Sequence, residues 1–134
     1  MPKFQKNNIK DLEELLHNSY VHDSNLENFE YNCKNDNIKI ELLNPNFNVK
    51  VDLTFISIEI ALKIKGDWHG SSETVVSLTV EDDFSYLQNC FLKESKHVED
   101  NLYMLFQMFS GDEMHIVSKE VIVEIVDWKG RVLR

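Results

Sequence analysis

The spacing of apolar positions changes once, near the start of the chain. Ile9, Leu12, Leu15 and Leu16 recur at helical intervals with Lys10, Glu13 and Glu14 opposite, which predicts a short amphipathic helix. Asn7-Asn8 can cap it, Asp11 suits the positive end of its dipole, and Asn18-Ser19 end it. A helix this short is marginal alone, so it must dock through its Ile/Leu stripe. From Leu26 the period is two. Phe29, Tyr31 and Cys33 alternate with Glu30, Asn32 and Lys34, and Asn35-Asp36-Asn37 supplies a hairpin turn. Ile38, Ile40 and Leu42 continue on the return strand, and Asn44-Pro45-Asn46 turns again.

The longest run follows. Val49, Val51, Leu53 and Phe55 share one phase; Ile56, Ile58, Ile60, Leu62 and Ile64 share the other. A slip of one residue sends every later side chain to the opposite face, so a β-bulge or bend is expected at Phe55-Ile56. Gly66 to Ser72 is a loop by composition. Thr74, Val76, Leu78 and Val80 make a strand that ends in Glu81-Asp82-Asp83. Over Phe84 to Val98 two periods compete. Phe84, Leu87 and Phe91 have helical spacing with Asp83 as a cap, while Phe84, Tyr86, Cys90 and Leu92 fit alternation. Glu99-Asp100-Asn101 resembles a turn into the next strand, so a strand is expected here.

Tyr103 to Phe109 alternates weakly, as expected of a strand covered on both faces. Ser110-Gly111-Asp112-Glu113 turns it, and Met114, Ile116 and Ser118 lead to Val121, Val123 and Ile125 with another phase change near Lys119-Glu120. The expected fold is mainly β: an antiparallel sandwich or half-open barrel of about seven or eight strands with one short N-terminal helix. Residues 1–134 are expected to form one domain, since the chain has two prolines, four glycines and no linker composition.

Charge narrows the partners. Lys plus Arg total 14 against 23 Asp plus Glu, a formal charge of −9. That opposes phosphate backbones and anionic membranes and favours a basic protein partner. Phe55 to Ile64 is too short and too charged to span a bilayer. Met1-Pro2-Lys3-Phe4-Gln5-Lys6 starts no signal peptide, so a reducing cytoplasm is expected, with Cys33 and Cys90 as reduced, packed thiols.

Reactive motifs are scarce. No Gly-x-Ser-x-Gly, Gly-x-Gly, His-Glu-x-x-His or Cys-x-x-Cys occurs, so neither an enzyme nor a bound cofactor is expected. The one constellation is His22-Asp23, with His17 five residues before His22 and His97 or His115 as distant partners for a metal. The plainer reading is that His22 and Asp23 hydrogen-bond backbone groups where the helix stops.

At His22-Asp23-Ser24-x-Leu26, and again at Phe109-Ser110-Gly111-Asp112-Glu113-x-x-Ile116, the chain resembles a group of small bacterial proteins. Those begin with a Leu-His-Asp-Ser-like segment and finish with a Ser-Gly hairpin and a Val-x-Val-Glu-like strand, here Val121-Ile122-Val123-Glu124. Some resemble immunity proteins encoded beside polymorphic toxins, which act by binding the toxin. The resemblance implies protein binding and carries no catalytic residues.

The expectation is therefore a non-catalytic binding protein with an acidic surface. Glu81, Asp82, Asp83, Glu99 and Asp100 are the candidate contacts, with Trp68 as an aromatic anchor. The alternatives are a small-ligand module with a mouth lined by Phe106, Phe109 and Ile60, and a metal-dependent enzyme centred on His22 and Asp23. An exposed edge strand could also pair two copies into a homodimer.

Overall fold

Alternation from Leu26 onward becomes one antiparallel sheet. The computed structural model describes residues 3–17, 21–64, 74–85, 87, 100–127 and 132. Among these, seven strands form an open sheet: β1 (Lys3–Phe4), β2 (Asn25–Asn32), β3 (Asn37–Asn44), β4 (Val49–Ile64), β5 (Val75–Glu81), β6 (Leu102–Met108) and β7 (Glu113–Asp127). The order across it is β2-β3-β4-β7-β6-β5, and β1 pairs with β7 beyond the stretch that β6 occupies. A 3-10 turn at Lys6–Asn8 leads into a short helix, α1 (Ile9–His17). The Asn8 side chain accepts a 2.6 Å bond from the Gln5 amide at that entry.

The first and last strands of this order meet at one corner. Asn25 bridges Thr74, the Asp23 amide donates to the Val75 carbonyl at 2.9 Å, and the Val75 amide donates to the Ser24 carbonyl at 2.8 Å. A single curled sheet with touching ends fits the half-open barrel, of the two architectures expected.

The interior is built by the predicted alternation. Ile38, Ile40 and Leu42 from β3, Val51, Leu53 and Phe55 from β4, and Val121, Val123 and Ile125 from β7 are all buried in one cluster. α1 closes it with Leu12 and Leu15. Phe55 and Phe106 meet edge-on at its centre, with ring centroids 6.1 Å apart.

The two phase slips in the sequence turn out to be cross-strand neighbours. Ile56 on β4 pairs with Glu120 on β7. Just beyond, Ser57 takes a left-handed backbone with φ of 59°, and the β4–β7 register shifts between Ile58 and Ile60. The bulge lies a few residues past Phe55-Ile56 because Ile56 still pairs with Asn37, the first residue of β3. A side chain in this conformation costs about 1–2 kcal/mol. Ser57→Gly is therefore expected to raise stability, by roughly 0.5–1 kcal/mol after its own entropy cost, in urea titration.

Past the bulge the sheet is covered on its second face as well. Phe84, Leu87, Tyr103 and Val117 form a second buried cluster, with Ile60, Leu62 and Leu105 against it. That explains the weak alternation of β6, whose Tyr103 and Leu105 face this cluster while Met104 and Phe106 face the main one. The strand expected from Phe84 is corrected where it begins: Ser85 and Leu87 are helical. Asp83 accepts a 3.0 Å bond from the Ser85 amide, and Phe84 and Leu87, three apart, lie together on the sheet. The rest of that expected strand lies outside the described residues. Cys33 is also corrected. It sits exposed in the β2–β3 turn, where the Asn32 side chain accepts bonds from the Lys34 and Asn35 amides. Asp36, with φ of 54°, completes the hairpin predicted there.

No described helix is long and apolar enough to cross a membrane.

Candidate functional site

Strand pairing sets four of the acids singled out in the sequence at one end of the sheet. β5 runs antiparallel to β6 with Glu81 opposite Tyr103. The end of β5 and the start of β6 therefore lie at the same end of the sheet, with Glu81, Asp82 and Asp83 closing one strand and Asp100 just ahead of the other. Asp82, Asp83 and Asp100 are exposed, and Glu81 accepts a 3.1 Å bond from the Thr79 hydroxyl. Hydrogen bonds from the Ser85 side chain and amide hold the Asp83 carboxyl below the ordinary aspartate range. Trp68 and Glu99 lie outside the described residues.

A groove runs up to this acidic end. It is a hollow of about 400 Å³ between α1 and β5. Glu13, Leu16 and His17 form the helical wall, and β5 from Val76 to Val80 forms the other. Val21 and His22 close it at the start of β5.

His22, Asp23 and Ser24 pin the corner where the sheet ends meet. The His22 ring Nδ1 contacts the Val76 carbonyl, and its Nε2 lies 3.5 Å from the Asp23 carboxylate. The buried Ser24 hydroxyl donates to the Val21 carbonyl at 2.5 Å, and Asn44 Nδ2 donates to the His22 carbonyl at 3.3 Å. The His22 ring does meet a backbone carbonyl, but on β5 rather than at the end of α1, and the Asp23 carboxylate faces the His22 ring rather than a freed backbone group. His17 lines the same groove, whereas His115 is buried against the second face of the sheet. His97 lies outside the described residues. Among the described residues no three His, Cys, Asp or Glu side chains form a metal-binding group.

The mouth expected of Phe106, Phe109 and Ile60 is not assembled. Phe106 is in the main core, Ile60 packs on the second cluster, and Phe109 is exposed on the β6–β7 turn. A hollow of about 360 Å³ opens elsewhere, between Leu26 and Phe29 of β2 and Ala61, Lys63, Met114 and Ile116 of β4 and β7.

No protein-family model and no curated protein matches this chain. What it does must be read from the surfaces it builds.

Two polar arrangements escaped sequence reading. The buried His115 takes a 2.5 Å contact from the Tyr103 hydroxyl at Nδ1 and lies 3.1 Å from Glu113 at Nε2. Glu113 and His115 share a face as alternate strand residues, and the hairpin register brings Tyr103 diagonally across. On the outer face Glu41, Asp52 and Glu124 are direct cross-strand partners over β3, β4 and β7. Burial pushes the Asp52 carboxyl above the ordinary aspartate range; Lys50, at 3.5 Å, opposes the rise and Glu41 adds to it. Asp52 Oδ1 has no hydrogen-bond partner.

A carboxyl raised in the fold binds more protons folded than unfolded, so stability falls as pH rises through the interval from the unfolded to the raised value. Ionised Asp52 thus weakens the fold at neutral pH. Asp52→Asn is expected to gain a few tenths of a kcal/mol at pH 7, the scale of a like-charge cross-strand pair, and to lose that gain in acid. Urea midpoints at the two pH values check it.

Proposed function

We propose that this chain is a non-catalytic binding protein whose acidic surface engages a basic protein in the cytoplasm. One observation carries the reading: the β5–β6 ladder ends at Glu81, so Glu81, Asp82 and Asp83 after β5 and Asp100 before β6 lie at the same end of a sheet in a chain with a formal charge of −9. Such a surface speeds encounter with a cationic partner and rejects anionic ones, nucleic acids and anionic membranes included. The resemblance at His22-Asp23-Ser24 and at the Ser110-Gly111 hairpin extends the proposal to an immunity protein, with a basic toxin as its partner. His22-Asp23 has a structural part in it, holding the corner of the sheet, and no cofactor takes part.

The test is retention from extracts of the source cell on the immobilised chain. A basic protein is expected to bind at low salt and to be released at about 0.5 M, where exposed charges are screened within a few ångström. Retention insensitive to salt, or of an acidic protein, would overturn the proposal.

A further inference from the structure

We propose that the groove between α1 and β5 takes an extended basic segment of the partner, added as a further strand on the edge of β5 that faces away from β6. This rests on the binding function proposed above and specifies how the contact is made.

The first support is the state of that edge. Ser77 to Glu81 pair with β6 on one side. On the other side no described backbone group hydrogen-bonds them. The contacts that close the sheet corner stop at Val75 and Val76, which hold Asp23, Ser24 and the His22 ring. Beyond them, among the described residues, the outward amide and carbonyl groups of the strand have no backbone partner, the template on which another strand builds. Ser77, Leu78, Thr79 and Val80 include no proline, lysine or other charge that would blunt it.

The second support is the shape beside the edge. α1 stands off β5 far enough to leave the 400 Å³ hollow, lined by Leu16 and Val21 as well as Glu13 and His17. Four strand residues run roughly 13 Å at about 3.3 Å each, the reach of a short extended peptide. Alternate side chains of that peptide would point to opposite faces of the added strand.

The third support is charge, and it selects the occupant. Glu13 stands on the helical wall, and the edge runs into Glu81-Asp82-Asp83. Lysine or arginine in the incoming segment is matched at both places. A second copy of this chain is not, because it would bring its own −9 and the same acidic end.

The probe is an acetylated, amidated hexapeptide alternating lysine and valine, titrated into the full chain at low salt. Backbone amides within Ser77–Glu81 are expected to gain protection from hydrogen exchange. Two versions of the peptide, N-methylated on alternate residues, separate strand addition from simple charge attraction. One set of methyls points at β5 and should cost at least about tenfold in affinity, since two or three backbone hydrogen bonds go together; the other set should leave affinity within about twofold. Glu13→Lys with Glu81→Lys should also weaken binding about tenfold, with the urea midpoint confirming the fold. No hexapeptide binding, equal affinity of both methylated peptides, or protection on β2 in place of β5 would overturn the proposal. So would protection of Ser77–Glu81 that rises with chain concentration and no peptide. Salt-sensitive binding of poly-L-lysine that leaves these amides unprotected would reject the groove while keeping the acidic-surface reading.

Discussion

Phe55→Ala is expected to lower the unfolding free energy by about 3–5 kcal/mol. Phe55 is fully buried, meets Phe106 edge-on at 6.1 Å, and pairs with Ile38 on one side and Val121 on the other. Its strand is paired on both sides, so the neighbours of the resulting cavity are held by two ladders and cannot readily collapse into it. Against a typical stability of about 5–15 kcal/mol, that is a large fraction. Phe47, 61% exposed in the β3–β4 turn, is the control: Phe47→Ala should change stability by no more than about 0.5 kcal/mol. Urea unfolding followed by circular dichroism measures both. A loss below about 1 kcal/mol for Phe55→Ala would mean that the curled sheet does not enclose it.

Tyr103→Phe is expected to cost about 1–2 kcal/mol, although it removes one oxygen atom. The Tyr103 hydroxyl lies 2.5 Å from His115 Nδ1, and both residues are almost completely buried. The ring stays in place against Phe84, whose centroid is 5.2 Å away, so packing survives and the lost contact is polar. His115 then keeps Glu113 at Nε2 but loses the hydroxyl at Nδ1. Glu113 is partly exposed, and Glu113→Gln should cost less than Tyr103→Phe. The same urea titrations decide the order, and the reverse order would contradict the burial of the Tyr103–His115 contact.

Much of this architecture was legible because local pattern and tertiary packing agree. The period of two over Ile38–Leu42 and Val49–Phe55 sets which side chains face inward, and Asp36 and Gly111 mark turns that need left-handed backbone. Even the phase slips at Phe55-Ile56 and Lys119-Glu120 were visible. That they oppose each other was not, because pairing between β4 and β7 joins residues some sixty positions apart. Phe84 to Leu87 was misread for a definite reason. Phe84 belongs to both competing patterns, and the deciding factor was the Asp83 cap together with an uncovered sheet face for Phe84 and Leu87 to lie on. Cys33 belonged to a run of alternating residues but falls one past the end of β2, in the turn.

The acidic end was partly legible for a similar reason. Glu81-Asp82-Asp83 is a run in the sequence, so the exposure of Asp82 and Asp83 followed from composition, while the placing of Asp100 at the same end of the sheet depends on the β5–β6 register. The groove had no sequence signal. A docking stripe on α1 and a strand at Val75–Glu81 are both readable, but where the helix lies relative to the strand edge is set by the corner at Asn25 and Thr74. Likewise His22 reads as a candidate ligand in a list of residues, and becomes a pin only when Val76 stands next to it.

The most direct test of the acidic end as the docking surface compares two charge reversals of equal size. Glu81→Lys with Asp82→Lys alters that end; Glu27→Lys with Glu30→Lys alters exposed positions on β2. Association rates with the basic protein retained at low salt are measured for each. The first pair is predicted to slow association about tenfold or more, and the second by about twofold or less. Equal slowing by both pairs, or no slowing by the first, would contradict the account.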